Sequence, residues 1–184
     1  EIFAEINDFL VANQIQKVGI EAEEMPVYTY LRLKDFSGPE VVPTQGLIEK
    51  IREIKDADEL ATMKKACEIT DQAFSHILTF IKPGVTEIEV ANELERYLKT
   101  LGASAMSFDT IIASGLRSAM PHGVASDKVI EEGDVVTLDF GCYYQGYSSD
   151  MTRTIAVGSI DPKLEEIYHV VLDLSLIHIW RCRR

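Results

Sequence analysis

The sequence predicts a mixed α/β (α+β) fold, and three stretches carry that prediction. Val135 to Phe140 is an apolar, β-branched run that reads as a buried strand, and it leads through a short connection into a second strand over Tyr147 to Val157. Residues 58 to 81 and 86 to 101 repeat apolar residues at helical spacing, as helices that cover a sheet do. Ahead of them, short strand and helix candidates alternate, as at the βα end of a domain.

Each element follows from local chemistry. Ile2 to Asn13 sets Ile2, Phe3, Ile6, Phe9 and Leu10 at helical spacing. Val18 to Ile20 is a short strand, and Met25 to Asp35 is a helix with Pro26 in its first turn. Ser37-Gly38-Pro39 is a break; Val41-Val42 is a short strand and Leu47 to Ile54 a short helix, with Lys50, Arg52 and Lys55 on a solvated face. Asp58 is the expected N-cap of the long helix, with Glu59 in the first turn to complement the helix dipole. Its expected apolar stripe is Leu60, Met63, Cys67, Phe74, Ile77, Leu78 and Ile81, which puts Cys67 in the core, and Pro83-Gly84 ends it. Thr86 and Glu89 have capping-box spacing at the start of the next helix, where Val90, Leu94, Tyr97, Leu98 and Leu101 form the stripe and Gly102 closes it. His76 and His169 read as ordinary helix histidines. Phe108 to Ser114 reads as a strand, Gly115 to Gly123 as a loop and Asp127 to Gly133 as a turn-rich connector. Asp161 caps a last helix, with Pro162 at its first position, that runs to about Asp173.

The chain has 184 residues and a formal net charge of −12, which argues against nucleic acid and anionic membrane partners. No apolar run reaches transmembrane length and no signal peptide is visible. Cys67, Cys142 and Cys182 lack paired spacing, which fits a reducing, cytoplasmic compartment. Residues 174–184 depart from the preceding helix pattern and resemble the in-frame translation of a sequencing adapter, so they are set aside from fold reasoning. Without their three arginines the net charge is −15.

The chemistry concentrates in the hairpin. A turn centred between Tyr144 and Gln145 would set Asp139 directly opposite Asp150 on one face. Like charges so placed repel, and a divalent cation removes the conflict, since carboxylate oxygens suit Mg, Mn, Co or Zn. A single strand aspartate is more often a cap or a hydrogen-bonded group than a ligand; a pair in register brings the two readings level. His122, held between Pro121 and Gly123, is a candidate proton shuttle or substrate hydrogen-bonder, against the plainer reading of a surface histidine.

Ser114-Gly115, Ser118-Ala119, Pro121-His122-Gly123, Gly133-Asp134, Leu138-Asp139-Phe140-Gly141, Gly146-Tyr147 and Ser149-Asp150-Met151-Thr152-Arg153-Thr154 stand in an order and spacing that resemble the Xaa-Pro peptidases. These are the proline dipeptidases and aminopeptidases P of the pita-bread metallopeptidase family. Arg52, Ile54, Lys55 and Glu59 also resemble that family's junction between N-terminal and catalytic domains. The resemblance implies residues 1–44 as the end of an N-terminal creatinase-type domain, 45–57 as a linker helix and 58–173 as the first half of a pita-bread catalytic domain. It implies two divalent metal ions, Mn above all with Co or Zn accepted. Asp139 would chelate one ion, Asp150 would bridge both, and His122 would line the site near the scissile bond. A metal-held hydroxide would attack the carbonyl before proline in a Xaa-Pro dipeptide or peptide. A homodimer is implied by the family alone. The resemblance also implies a further histidine and two glutamates beyond Asp173, so this chain is expected to be an inactive fragment of an active peptidase. The rival readings are a methionine aminopeptidase or creatinase on the same fold, and a non-catalytic binding module on it. The N-terminal remnant argues against the first, and the aspartate pair argues against the other two.

Overall fold

The computed structural model describes residues 2–35 and 38–181, with side chains of the last helix described to Leu176. The chain divides into two compact units, residues 1–55 and 56–184.

The first unit runs α1 (Ile2–Ala12), β1 (Lys17–Glu21), α2 (Val27–Lys34), β2 (Glu40–Thr44) and α3 (Leu47–Glu53). β1 and β2 are parallel, with Val18 beside Val41 and Ile20 beside Pro43, and α2 makes the crossover that parallel pairing requires. Pro26 occupies the N-cap position, one residue earlier than a first-turn proline. The expected break falls at the bend of Gly38 and Pro39; Ser37 lies outside the described residues. Ile20 is the one buried apolar side chain of this unit among the described residues.

The second unit opens with α4 (Ala57–Phe80) and α5 (Glu87–Thr100). Asp56, not Asp58, caps α4: its carboxylate accepts from the backbone of Asp58 and Glu59, and the Glu59 carboxylate accepts from the Asp56 backbone. That reciprocal box satisfies more of the free N–H groups than a cap two residues later would. The buried stripe of α4 is also displaced. It is Ala66, Ile69, Thr70, Ala73 and Ile77, while Leu60, Cys67 and Leu78 are exposed. Two alanines in the true stripe let α4 lie close to its neighbours, and alanine gives a weak apolar signal in a sequence. The Thr86–Glu89 capping box of α5 forms as its spacing predicts, and Val90, Leu94 and Leu98 are fully buried.

The strands that follow are β3 (Ala105–Met106), β4 (Ile111–Ser114), β5 (Val135–Phe140), β6 (Cys142–Tyr144), β7 (Tyr147–Ser148) and β8 (Met151–Ala156), with a short 3-10 helix over Gly115–Ala119. They form two antiparallel three-stranded sheets, β4-β5-β8 and β3-β6-β7. β4 is shorter than the apolar run predicts, since Phe108 to Thr110 do not pair. β5 is buried on one face only: Val136, Leu138 and Phe140 are inside, while Val135, Thr137 and Asp139 are half-buried on the other. The core gathers those three with Ile69, Ile77, Leu94, Leu98 and Ile112.

The hairpin register differs from the predicted one. Tyr144 faces Tyr147, and Gln145 and Gly146 form the turn with φ of 47° and 86°. Two successive positive φ values define the tight turn whose twist suits a hairpin, and a glycine fits its second position. Centring the turn between Tyr144 and Gln145 would take Gly146 out of that position. Asp139 therefore faces Thr152, and Asp150 is a diagonal neighbour on the same face.

Asp161 caps the last helix, α6 (Pro162–Arg181), by accepting from the Lys163 backbone at 2.8 Å. The helix continues past Asp173, where the pattern predicts its end, because neither glycine nor proline interrupts it. Its described side chains are exposed.

Candidate functional site

Alternation along β5 turns Asp139 away from the core toward an open pocket. The Thr152 hydroxyl, directly across the ladder, donates to Asp139 Oδ1 at 3.0 Å and fixes the carboxylate. Asp150 sits where the pairing breaks between β7 and β8. Next to it, Ser149 is buried. Its hydroxyl lies 2.5 Å from the Thr70 hydroxyl of α4 and accepts from the Cys142 backbone at 3.1 Å. Gly141 is required opposite, because a Cβ there would collide with the Ser149 carbonyl and the Ser107 hydroxyl. Inward anchoring of Ser149 leaves the Asp150 side chain exposed on the other side.

His122 lies in an exposed turn. Gly123 packs that turn onto β4: a Cβ at this position would stand 2.8 Å from the Ala113 Cβ. The Val124 backbone donates to the His122 carbonyl at 2.9 Å, and Val124 makes an isolated antiparallel bridge to Ile111.

These placements bring His122, Asp139 and Asp150 to the wall of one pocket of about 380 Å³, together with Phe108, Asp109, Ile111 and Val124. A larger hollow of about 610 Å³ between β8 and α6, edged by Thr154, Glu165 and Tyr168, contains neither aspartate. Two residues of the site region escape a reading of the sequence alone. Asp109 is a third carboxylate on the pocket wall, and its only signal is an acidic residue at the mouth of an apolar run. Glu87 is fully buried behind the loop that carries His122. It looks in sequence like one more first-turn acid of α5.

The donor chemistry fits a divalent cation in part. Three carboxylates, those of Asp109, Asp139 and Asp150, line one open pocket, and hard oxygen donors are what such ions take. Among the described residues no group of three or more histidines, cysteines, aspartates or glutamates is arranged to hold a metal. His76 keeps its structural role. It bonds Glu93 at 2.6 Å and stacks on Tyr97 with centroids 3.8 Å apart. Hydrogen bonds from Arg96 and then His76 hold the Glu93 carboxyl down at about 2.

Paired antiparallel sheets under two long helices, with the carboxylates on the open face, are the architecture of the pita-bread metallopeptidases. The match to solved structures of that class is close. A Xaa-Pro dipeptidase from Bacillus anthracis superposes with a TM-score of 0.91 at 53% identity over 96% of this chain and 50% of its own. An X-Pro aminopeptidase from Thermotoga maritima gives 0.88 at 34% identity over 94% and 49%. The chain belongs to metallopeptidase family M24, whose family model matches residues 61–183, and residues 1–54 match the creatinase/prolidase N-terminal domain. A Xaa-Pro dipeptidase from Pyrococcus horikoshii is 45% identical over 94% of this chain and 50% of its own length. The chain thus spans about half the length of the curated relatives it matches. Among the described residues no helix is long and apolar enough to cross a membrane.

Proposed function

We propose that this chain is part of a dinuclear metallopeptidase that hydrolyses the peptide bond before proline in a dipeptide or short peptide. The observation that carries this reading is the single pocket lined by His122, Asp139 and Asp150. Relatives bearing the names Xaa-Pro dipeptidase and X-Pro aminopeptidase support the substrate class. Asp139 would hold one ion and Asp150 both, with manganese the first choice and cobalt or zinc the alternatives. When bound, such ions polarise the substrate carbonyl and make water a nucleophile near neutral pH. The chain's own residues do the rest. The Thr152 hydroxyl orients Asp139, and the buried Ser149 hydroxyl anchors the backbone that presents Asp150. His122 donates a hydrogen bond to the reacting carbonyl or moves a proton at its ring nitrogen.

The remaining ligands, a histidine and two glutamates, would come from outside this chain, so the 184-residue chain by itself is expected to be inactive. We also propose the domain limits given above, residues 174–184 as an adapter translation, a homodimeric whole protein and a cytoplasmic location. Cys67 and Cys142, both free thiols, support a reducing compartment. A non-catalytic binding module is the second reading, and the presence of both Asp139 and Asp150 on the pocket wall speaks against it. An assay of Xaa-Pro dipeptide hydrolysis with added Mn, on the whole protein and on this chain, tests the proposal. Turnover by the whole protein and none by the chain is expected. Turnover by the chain alone would refute the incomplete ligand set, and an inert whole protein would favour the binding module.

A further inference from the structure

Glu87 is a carboxylate with no exposed surface, in a chain whose acidic residues are otherwise largely solvated. Charges are buried at high cost unless fully hydrogen-bonded, so its partners define what it is there to hold. Oε1 accepts from the Ser114 backbone at 2.7 Å and the Ser114 hydroxyl at 2.9 Å. Oε2 accepts from the Ser126 backbone at 3.1 Å, the Ser126 hydroxyl at 2.6 Å and Arg117 Nε at 3.0 Å. Burial raises the affinity of this carboxyl for its proton, yet the Ser126 and Ser114 bonds outweigh it and hold the group below its ordinary range. Lys128 extends the network, donating to the Ser114 hydroxyl at 2.9 Å and pairing with Asp134 at 2.7 Å.

Ser114 and Ser126 are the two ends of the segment that carries His122. Arg117 reaches further in: its Nη2 donates to the Val124 carbonyl at 2.7 Å, and the Val124 backbone donates to the His122 carbonyl. The first turn of α5 closes the same loop, as the Glu87 and Ile88 backbones donate to the Lys128 and Ser126 carbonyls. A continuous bonded path therefore runs from Glu87 through Arg117 and Val124 to the backbone of His122.

We propose that Glu87, with Arg117, is a positioning residue that staples both ends of the 114–126 loop and sets where the His122 imidazole stands at the pocket. The inference rests on the peptidase reading for what His122 does, but not for where it is held. Glu87→Gln keeps the shape, removes the charge that pairs with Arg117 and turns one acceptor into a donor that meets the backbone N–H of Ser114 or of Ser126, whichever way the amide lies. Ser126→Ala is milder, removing one hydroxyl and keeping the ion pair of Glu87 with the half-buried Arg117.

The test uses the whole protein. In its metal-free form, both variants should shift the His122 imidazole signals in NMR spectra, and the hydrogen-bonded amides of Met120 and Val124 should exchange about tenfold faster. With Mn added, Glu87→Gln should lower kcat on a Xaa-Pro dipeptide by roughly 10- to 100-fold, as expected when a reacting group is slightly misplaced. In a His122→Ala background the same change should cost less than about twofold, because coupled residues are not additive. Unchanged imidazole signals and exchange rates in both variants, or full additivity with His122→Ala, would overturn the proposal. If Glu87→Gln does not fold, Ser126→Ala decides by the same measurements. Should His122→Ala leave activity intact, the role of His122 fails, while the spectra and exchange rates still decide the staple.

Discussion

Asp139 keeps one fixed neighbour, the Thr152 hydroxyl, and that contact makes its orientation testable. On the proposed metal role of Asp139, losing the partner that orients it should weaken metal affinity by roughly 10- to 100-fold, so Thr152→Val in the whole protein should raise the dissociation constant for Mn in calorimetric titration by about that factor. Glu93 offers a second test, remote from the pocket. Its folded pKa, about 2, lies below the ordinary 4.5, so its ionised form stabilises the fold above pH 4.5. That contribution is lost as the pH falls from 4.5 toward 2. NMR titration of the Glu93 carboxyl should give a midpoint near 2, and Arg96→Met should move it upward. At this scale the sequence was informative where chemistry is unusual for its place. Asp139 in a β-branched run and His122 between proline and glycine stand out, and both line the pocket. Glu87 did not stand out, because only the fold reveals that a first-turn acid of α5 is buried against Ser114 and Ser126.

The elements separate features that sequence fixes locally from those that packing decides. The Thr86–Glu89 box is local and forms as its spacing predicts. The face of α4 is not local, since the sheet beneath chooses Ala66, Ile69, Ala73 and Ile77 and leaves Leu60 and Leu78 exposed. Ile77→Ala should therefore destabilise by about 2–5 kcal/mol in chemical denaturation, whereas Leu78→Ala should cost well under 1 kcal/mol. The hairpin teaches the same lesson through its turn. The register follows from the conformational freedom of Gly146 at φ 86°, not from the midpoint between two apolar runs. Gly146→Ala should cost about 1–2 kcal/mol through backbone strain. The corrected register removes direct opposition of Asp139 and Asp150 but keeps them on one face, because a shift of two positions preserves side-chain alternation.

For the whole molecule, length is the governing fact. The second unit has the fold of family M24, while the chain spans about half the length of its relatives. β8 is an edge of its sheet, α6 is exposed along its described length, and a hollow of about 610 Å³ lies between them. Unpaired edges and exposed apolar side chains such as Val170 and Val171 favour association, so this chain alone should form species larger than a dimer in sedimentation velocity, where the whole protein stops at the proposed dimer. The most direct test of the account asks whether the two aspartates hold metal. Isothermal titration of the metal-free whole protein with Mn should show two bound ions per chain, and Asp150→Asn should abolish that binding while leaving the circular dichroism spectrum unchanged. Mn binding that survives Asp150→Asn, or no binding by the intact protein, would contradict the metal centre and leave a binding module on a peptidase fold.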